Sequence, residues 1–204
     1  MSKQKNVTPS LWLGSQSPRR QMLLEALGLK FRTVVSHADE ADIFGGSVEE
    51  TVKENARRKA QALLPALATG DVLITADTLV AQGEKILSKP ADREEALSHL
   101  RAFSGKTHRV LTGLGLVSKG KAARMSCTET LVTFRTLSES EIAAYVDTGE
   151  PYDKAGGYGI QGVACLFVQS VQGSFSNVMG LPTETLLREL QAYTGVSPFA
   201  WLAK

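Results

Sequence analysis

Strand-like and helix-like stretches alternate along this chain, which predicts an α/β fold with a mixed sheet and flanking helices. Three observations carry that expectation. Val72 to Ala76 is a near-continuous apolar run, the pattern of a strand buried on both faces. Thr107 to Val117 and Ala122 to Phe134 read as two long strands joined by a Lys119-Gly120 hairpin turn. Between such runs, capping residues and glycine stops mark out helices.

In chain order, Leu11 to Gly14 is a short strand, and Ser17-Pro18 opens a helix with Ser as N-cap and Pro in its first turn, closed by Gly28. Phe31 to Ser36 is the second strand. The acidic stretch Asp39-Glu40-Ala41-Asp42 and a Gly45-Gly46 turn follow it. Ser47 and Glu50 form a capping box for a helix reaching about Ala68. After Val72 to Ala76 a further strand runs to about Ala81, with a turn at Gly83 and a loop ending Lys89-Pro90. Asp92 with Glu95, and Ser138 with Glu141, cap two more helices, which end near Gly105 and Gly149. A Gly-rich loop from Glu150 to Gly162, strands over Val163 to Val171 and a last helix from Pro182 to Tyr193 complete the pattern.

With 204 residues and no Pro/Gly/Ser-rich linker, residues 1–204 are expected to form one unit, with 1–9 and 197–204 as peripheral tails. Net charge is +2, from 23 basic and 21 acidic residues, which excludes a general nucleic-acid or anionic-membrane binder and makes any anion site local. Cys127 and Cys165 share no motif and are expected to be reduced, partly buried thiols. Met1 to Pro9 lacks the apolar core of a signal peptide, and no apolar run approaches the ~20 residues of a membrane span, so the expected compartment is the cytosol.

Four places carry candidate chemistry. In Gly14-Ser15-Gln16-Ser17-Pro18-Arg19-Arg20, two arginines stand where a helix dipole favours acidic residues. Guanidinium groups, hydroxyls and free backbone N–H groups then converge as a polyanion site, unless both arginines simply face solvent. Asp77, just past the buried run, is placed to bind a metal or take a proton from water, or only to cap a turn. Asp39, Glu40 and Asp42 are magnesium candidates or a solvated loop, and mid-helix Lys59 reads as a solvated face. Lys89 is held extended by Pro90. The Glu150 to Gly162 loop combines glycines with Asp153, Lys154 and Gln161 in a way a plain turn seldom needs. His37, His99 and His108 lack metal-ligand spacing, and Gly113-x-Gly115 belongs to a strand.

The order of these pieces resembles the Maf family over about residues 10 to 193. The match runs through Ser15-x-Ser17-Pro18-Arg19-Arg20, Asp39-Glu40, Lys59-Ala60, Ala76-Asp77-Thr78, Lys89-Pro90 and Ser104-Gly105-x-Thr107-His108. It continues through Thr112-Gly113, Tyr145, Gly149-Glu150-Pro151, Asp153-Lys154-Ala155-Gly156, Gly159-Ile160-Gln161-Gly162 and Asn177-Val178-x-Gly180-Leu181-Pro182. The resemblance implies an elongated, two-lobed fold like that of the inosine triphosphate pyrophosphatases, with a central cleft. It implies cleavage of a nucleoside triphosphate to monophosphate and pyrophosphate with Mg2+ or Mn2+, and a homodimer. Asp77 matches the family's general base. Ser15, Arg19, Arg20, Lys59 and Lys89 match phosphate positions, and Glu40 a position near the metal. A regulator of cell division and septum formation that binds nucleotide with little turnover is the alternative, disfavoured by the presence of Asp77 and Glu40.

Within the family, Gln161 resembles the branch acting on dTTP and UTP, where a 7-methyl-GTP branch carries Glu; Arg19 and Thr78 match the other specificity positions. The chemistry agrees, because an amide accepts and donates, as the N3–H and carbonyl of uracil or thymine require, whereas a carboxylate only accepts. An amide that flips pairs with cytosine instead, unless its neighbours fix it.

Overall fold

The computed structural model describes residues 9–36, 38 and 46–202. Its strands are β1 (Leu11–Gly14), β2 (Phe31–Val34), β3 (Val72–Gln82), β4 (Lys85–Leu87), β5 (Thr107–Val117), β6 (Arg124–Phe134) and β7 (Val168–Gln172). They form one sheet in the order β2-β1-β3-β5-β6-β7, with β4 paired to β3. The first three strands run parallel and the remaining pairs antiparallel, so the sheet is mixed as expected. Helices α1 (Pro18–Ala26), α2 (Val48–Leu63), α3 (Arg93–Phe103), α4 (Glu139–Val146), α5 (Phe175–Val178) and α6 (Thr183–Thr194) flank it.

All three N-caps form, but only one is shown as a full capping box. Ser138 and Glu141 make the full reciprocal box, and the Ser47 hydroxyl accepts the Glu50 N–H. Asp92 likewise accepts the Glu95 N–H at 2.8 Å, but the Glu95 carboxylate reaches past it to the Ala91 N–H, also at 2.8 Å. Helix α2 stops at Leu63, short of Ala68, and tightens to a 3-10 turn over Leu64–Ala66, since Pro65 brings no N–H to continue it.

Three expectations are corrected. The stretches before and after Asp77 are a single strand, β3, so Asp77 lies mid-strand, paired with Gly113 of β5. Val163–Phe167 is a 3-10 helix and no strand; its buried residues, Ala164 and Phe167, are three apart, the period of that helix, while Val163, Cys165 and Leu166 are exposed. The C-terminal segment is not peripheral where described: Trp201 is buried, its indole N–H donates to the Pro9 carbonyl, and Leu202 bridges Leu29.

Two large apolar clusters occupy opposite stretches of the long central strands. One gathers Leu11, Leu13, Leu24, Ile74, Leu114, Leu186, Leu190 and Trp201 around β1, α1 and α6. The other gathers Val80, Leu100, Phe103, Val110, Phe134, Tyr145, Tyr158 and Phe167 around α3, α4 and the Gly-rich loop. Between them the sheet has a notch. Beside β3, the β1 pairing ends at Ile74 and the β4 pairing begins at Val80. The β3 edge from Thr75 to Leu79 therefore faces the β1–α1 loop where another strand would lie. Ligands of open α/β sheets bind where a strand ends and the chain turns away. Here the strand that ends is β1.

Candidate active site

The notch opens into a cleft of about 460 Å³, lined by Gly14 to Arg20, Lys59, Asp77, Thr78, Lys89, Asp153 to Ala155, Gly159, Gln161 and Gly180, among others. Both stretches of the molecule contribute walls. The β1–α1 loop comes from the side of the first cluster, and Lys89 with the Gly-rich loop from the side of the second. Among the described residues, five cationic side chains (Arg19, Arg20, Lys59, Lys89, Lys154) line it against two carboxylates, Asp77 and Asp153. In a chain of net charge +2, this is the local positive field a polyanion requires.

Asp77 forms the floor. Successive β3 side chains point to opposite faces, so Asp77 faces α2 and Thr78 faces the other way. Asp77 is only 4% exposed. Lys59 Nζ lies 2.7 Å from its Oδ1, and the amide of Asn55, one helical turn earlier, donates to its Oδ2 at 3.0 Å. Lys59, a solvated face by its helix position alone and a phosphate position by the family resemblance, is turned onto the sheet. Asn55 was not singled out at all; the signal available was its i, i+4 spacing from Lys59, which puts both on one helix face. Two donors from α2 thus hold the carboxylate plane in one orientation. A carboxylate has roughly four lone-pair sites, so acceptor capacity remains for water.

The close approach of α2 depends on Gly113 of β5, while Gly115 makes room for side chains of the neighbouring strands. A Cβ on Gly113 would stand 2.1 Å from the Val52 carbonyl oxygen of α2, and one on Gly115 would stand 2.6 Å from Thr75 Oγ1. Gly113, which reads as a strand residue on local pattern and belongs to the Thr112-Gly113 piece of the family match, lets the helix lie low enough for Asn55 and Lys59 to reach Asp77.

On the opposite face Arg20 is a tie. Its Nε donates to the Gly180 carbonyl at 2.7 Å, Nη1 to Ser15 Oγ at 3.2 Å and Nη2 to Thr78 Oγ1 at 3.0 Å. Ser15 Oγ in turn accepts the Ser17 N–H, so the hydroxyl that caps the turn into α1 is Ser15; Ser17 makes no side-chain cap. Thr78 also bonds Thr112. Arg19 crosses the cleft to Asp153 at 3.2 Å. Burial opposes ionisation of Asp153, but the neighbouring Lys154 and Arg19 outweigh it and hold its carboxyl below the usual value. Lys89 is exposed at the rim, beside Ser88, whose carbonyl accepts the Gly156 N–H.

Gln161 is exposed on the cleft wall, and its side chain has no hydrogen bond with the described residues, so no neighbour there fixes which way its amide faces. Glu40, with Asp39 and Asp42, lies outside the described residues, as does His37. The other histidines belong to the core. His108 stacks on Phe103 and bonds the Tyr158 hydroxyl at 2.7 Å, with burial pushing it down to about 3. Burial also lowers His99. Cys127 is half-buried and pushed up to about 11 by burial, while Cys165 is exposed, contrary to the partly buried thiol expected there. No helix among the described residues is long and apolar enough to cross a membrane.

The family model described as Maf-like protein matches residues 10–193. The chain belongs to the Maf family. Among curated relatives of this member, the dTTP/UTP pyrophosphatase of Desulforamulus reducens is 43% identical over 182 residues, covering 89% of this chain and 95% of the relative. The dTTP/UTP pyrophosphatase of Bacillus pumilus is 43% identical over 189 residues, covering 93% and 98%. That of a Geobacillus species, strain WCH70, is 44% identical over 181 residues, covering 89% and 96%. A solved dITP/XTP pyrophosphatase from Mycobacterium abscessus overlaps only loosely, with TM-score 0.38 and 13% identity over 63% of this chain and 75% of that one.

Proposed function

We propose that this Maf family member hydrolyses dTTP and UTP to the monophosphate and pyrophosphate, by attack of water at the α-phosphorus. The observation that carries the reading is Asp77, buried, gripped by Lys59 and Asn55, at the floor of a cleft with five cationic side chains. Its near full-length relatives are named for the same reaction.

In this reading Asp77 orients the attacking water and takes its proton through the acceptor sites that Lys59 and Asn55 leave open. The Lys59 ammonium, beside Asp77, is shared with the incoming phosphates. Arg19, Lys89 and Lys154 offset charge that moves onto the departing pyrophosphate. Ser15, Arg20 and the start of α1 shape the phosphate seat. Arg20, bonded three ways, contributes a fixed charge and a rigid wall.

A divalent cation, Mg2+ or Mn2+, fits the chemistry of the donor set. Among its described residues the cleft offers oxygen donors, Asp77 and Asp153 with the hydroxyls of Ser15 and Ser17, and no cysteine or histidine. Among the described residues no group of three or more His, Cys, Asp and Glu could hold a metal, which suits an ion that takes one or two carboxylates and completes its shell with phosphate oxygens and water. Asp77 together with Glu40 would hold it. When bound, such an ion neutralises phosphate charge and acidifies water.

The test is pyrophosphate release from dTTP, UTP, CTP, GTP and 7-methyl-GTP with magnesium or manganese. Turnover restricted to dTTP and UTP is the expected result. Equal turnover of all five would remove the base assignment and leave the reaction. Tight binding without release of pyrophosphate would overturn the enzyme reading in favour of the regulator.

A further inference from the structure

Base reading by Gln161, as assigned above, raises a positioning problem. Its side chain has no hydrogen bond with the described residues, so the backbone beneath it must place the amide. That backbone is a turn: the Gly162 N–H donates to the Gly159 carbonyl at 2.9 Å, with Ile160 and Gln161 in the two central positions. Ile160 is buried and anchors one side of the turn in the second apolar cluster.

The other side rests on Glu150. Its Oε2 accepts the Val163 N–H at 3.1 Å and its Oε1 accepts the Tyr145 hydroxyl, also at 3.1 Å. Tyr145 belongs to α4 and is fully buried, so this end is rigid. The Glu150 carbonyl accepts Lys154 Nζ at 2.7 Å, which braces the base of the loop. The carboxylate is pressed against the turn itself. A Cβ on Gly162 would lie 2.3 Å from Oε1, and one on Gly159 would lie 3.4 Å from the same atom. Gly162 has φ −101°, a conformation open to any residue, so closeness to Glu150 is what requires a glycine there.

We infer that Glu150 is a positioning residue for base selection, its carboxylate tying the turn that bears Gln161 to Tyr145 of α4. The inference rests on the base-reading role of Gln161. Hydrogen-bond readout tolerates only about half an ångström of error, and a misplacement of about 1 Å costs rate by up to about a hundredfold. A turn held at both ends meets that tolerance; one that keeps Ile160 and the bond between Gly159 and the Tyr145 hydroxyl but loses the anchor at Val163 does not.

The experiment compares kcat/KM for UTP and CTP in the wild type and in Glu150→Ala, Glu150→Gln, Gly162→Ala and Gln161→Glu, with thermal melting to verify folding. Glu150→Ala removes the tie, and Gly162→Ala pushes the carboxylate away without straining the backbone. Both are expected to lower the UTP:CTP ratio about tenfold. Glu150→Gln is expected to stay within about threefold of wild type, since its oxygen still accepts the Val163 N–H and its NH2 faces the Tyr145 oxygen. Equal losses on both nucleotides, with the ratio unchanged in Glu150→Ala and Gly162→Ala, would overturn the inference. Should Glu150→Ala not fold, Gly162→Ala decides alone. A ratio that moves in Gln161→Glu but not in those two variants sinks only the role of Glu150. A ratio indifferent to Gln161→Glu sinks the base reading and this inference together.

Discussion

Asp77 is held by two donors of one helix, and that arrangement separates its charge from its orientation. Asp77→Asn keeps the shape but removes the proton acceptor. Turnover is expected to fall by about 10²- to 10⁴-fold with nucleotide binding retained, checked by single-turnover rates beside equilibrium binding. Near-normal turnover would remove Asp77 from the mechanism. The residue types at this centre were legible in the sequence, and the pairwise contacts were not. Lys59 reads as solvated because its neighbours in sequence, Arg57 and Arg58, do face solvent and pair with Glu54. Only the packing of α2 on β3 turns Lys59 inward. Asn55 carries no motif, and a single polar residue on a buried helix face becomes informative only once its partner across the interface is known. The bases of the specificity argument fared similarly: Gln161 was readable as a hydrogen-bonding type, whereas the clamp beneath it depends on contacts made by Glu150 across the loop.

At the level of elements, the position of α2 over β3 and β5 decides whether the centre exists. Gly113→Ala would drive a methyl group into the Val52 carbonyl, which is backbone and cannot rotate away. The helix must lift, with an expected loss of about 1–3 kcal/mol in stability and a fall in kcat as Asn55 and Lys59 withdraw from Asp77. Urea melts paired with initial rates check both, and unchanged activity in the folded variant would show that the helix height is not limiting. Helix starts were the best-read features, because a cap is a local hydrogen bond between residues three apart. Strand limits were read less well where local sequence is silent about neighbours. Asp77 looks like a break in an apolar run, yet the strand continues because Gly113 pairs with it across β5. Val163–Phe167 looks like a strand from its apolar content. Burial every third residue, visible only in three dimensions, makes it a 3-10 turn.

For the whole molecule, the two apolar clusters share the long strands, and the cleft crosses the sheet between them. An α/β fold was legible from alternation alone, and so was the end of β1 at Gly14, but that β1 and β4 share one edge of β3 and leave a notch between them is a fact of pairing. The cluster around Phe103 and Phe134 also holds a titratable group, His108, which sets a dependence on pH. Its folded pKa is about 3, against about 6.5 when unfolded, so the unfolded chain binds the proton more readily. The stability that neutral His108 contributes is complete above about pH 6.5 and is lost as pH falls from there toward 3. The expected slope is at most about 1.4 kcal/mol per pH unit. Urea melts at pH 7 and pH 5 should show a smaller drop in His108→Gln than in the wild type; equal drops would assign the acid sensitivity to other groups.

The bonds of Arg20 to described residues join positions 15, 78 and 180 of the chain, the longest of them spanning 160 residues. During synthesis the arginine emerges among the first residues, and its last partner comes only when most of the polypeptide has been made. No early fragment can therefore assemble this set of contacts. Closing so long a loop is an entropically costly, slow step. The nascent chain thus completes this side of the cleft late, and a product that stops before Gly180 lacks the carbonyl that Arg20 Nε bonds.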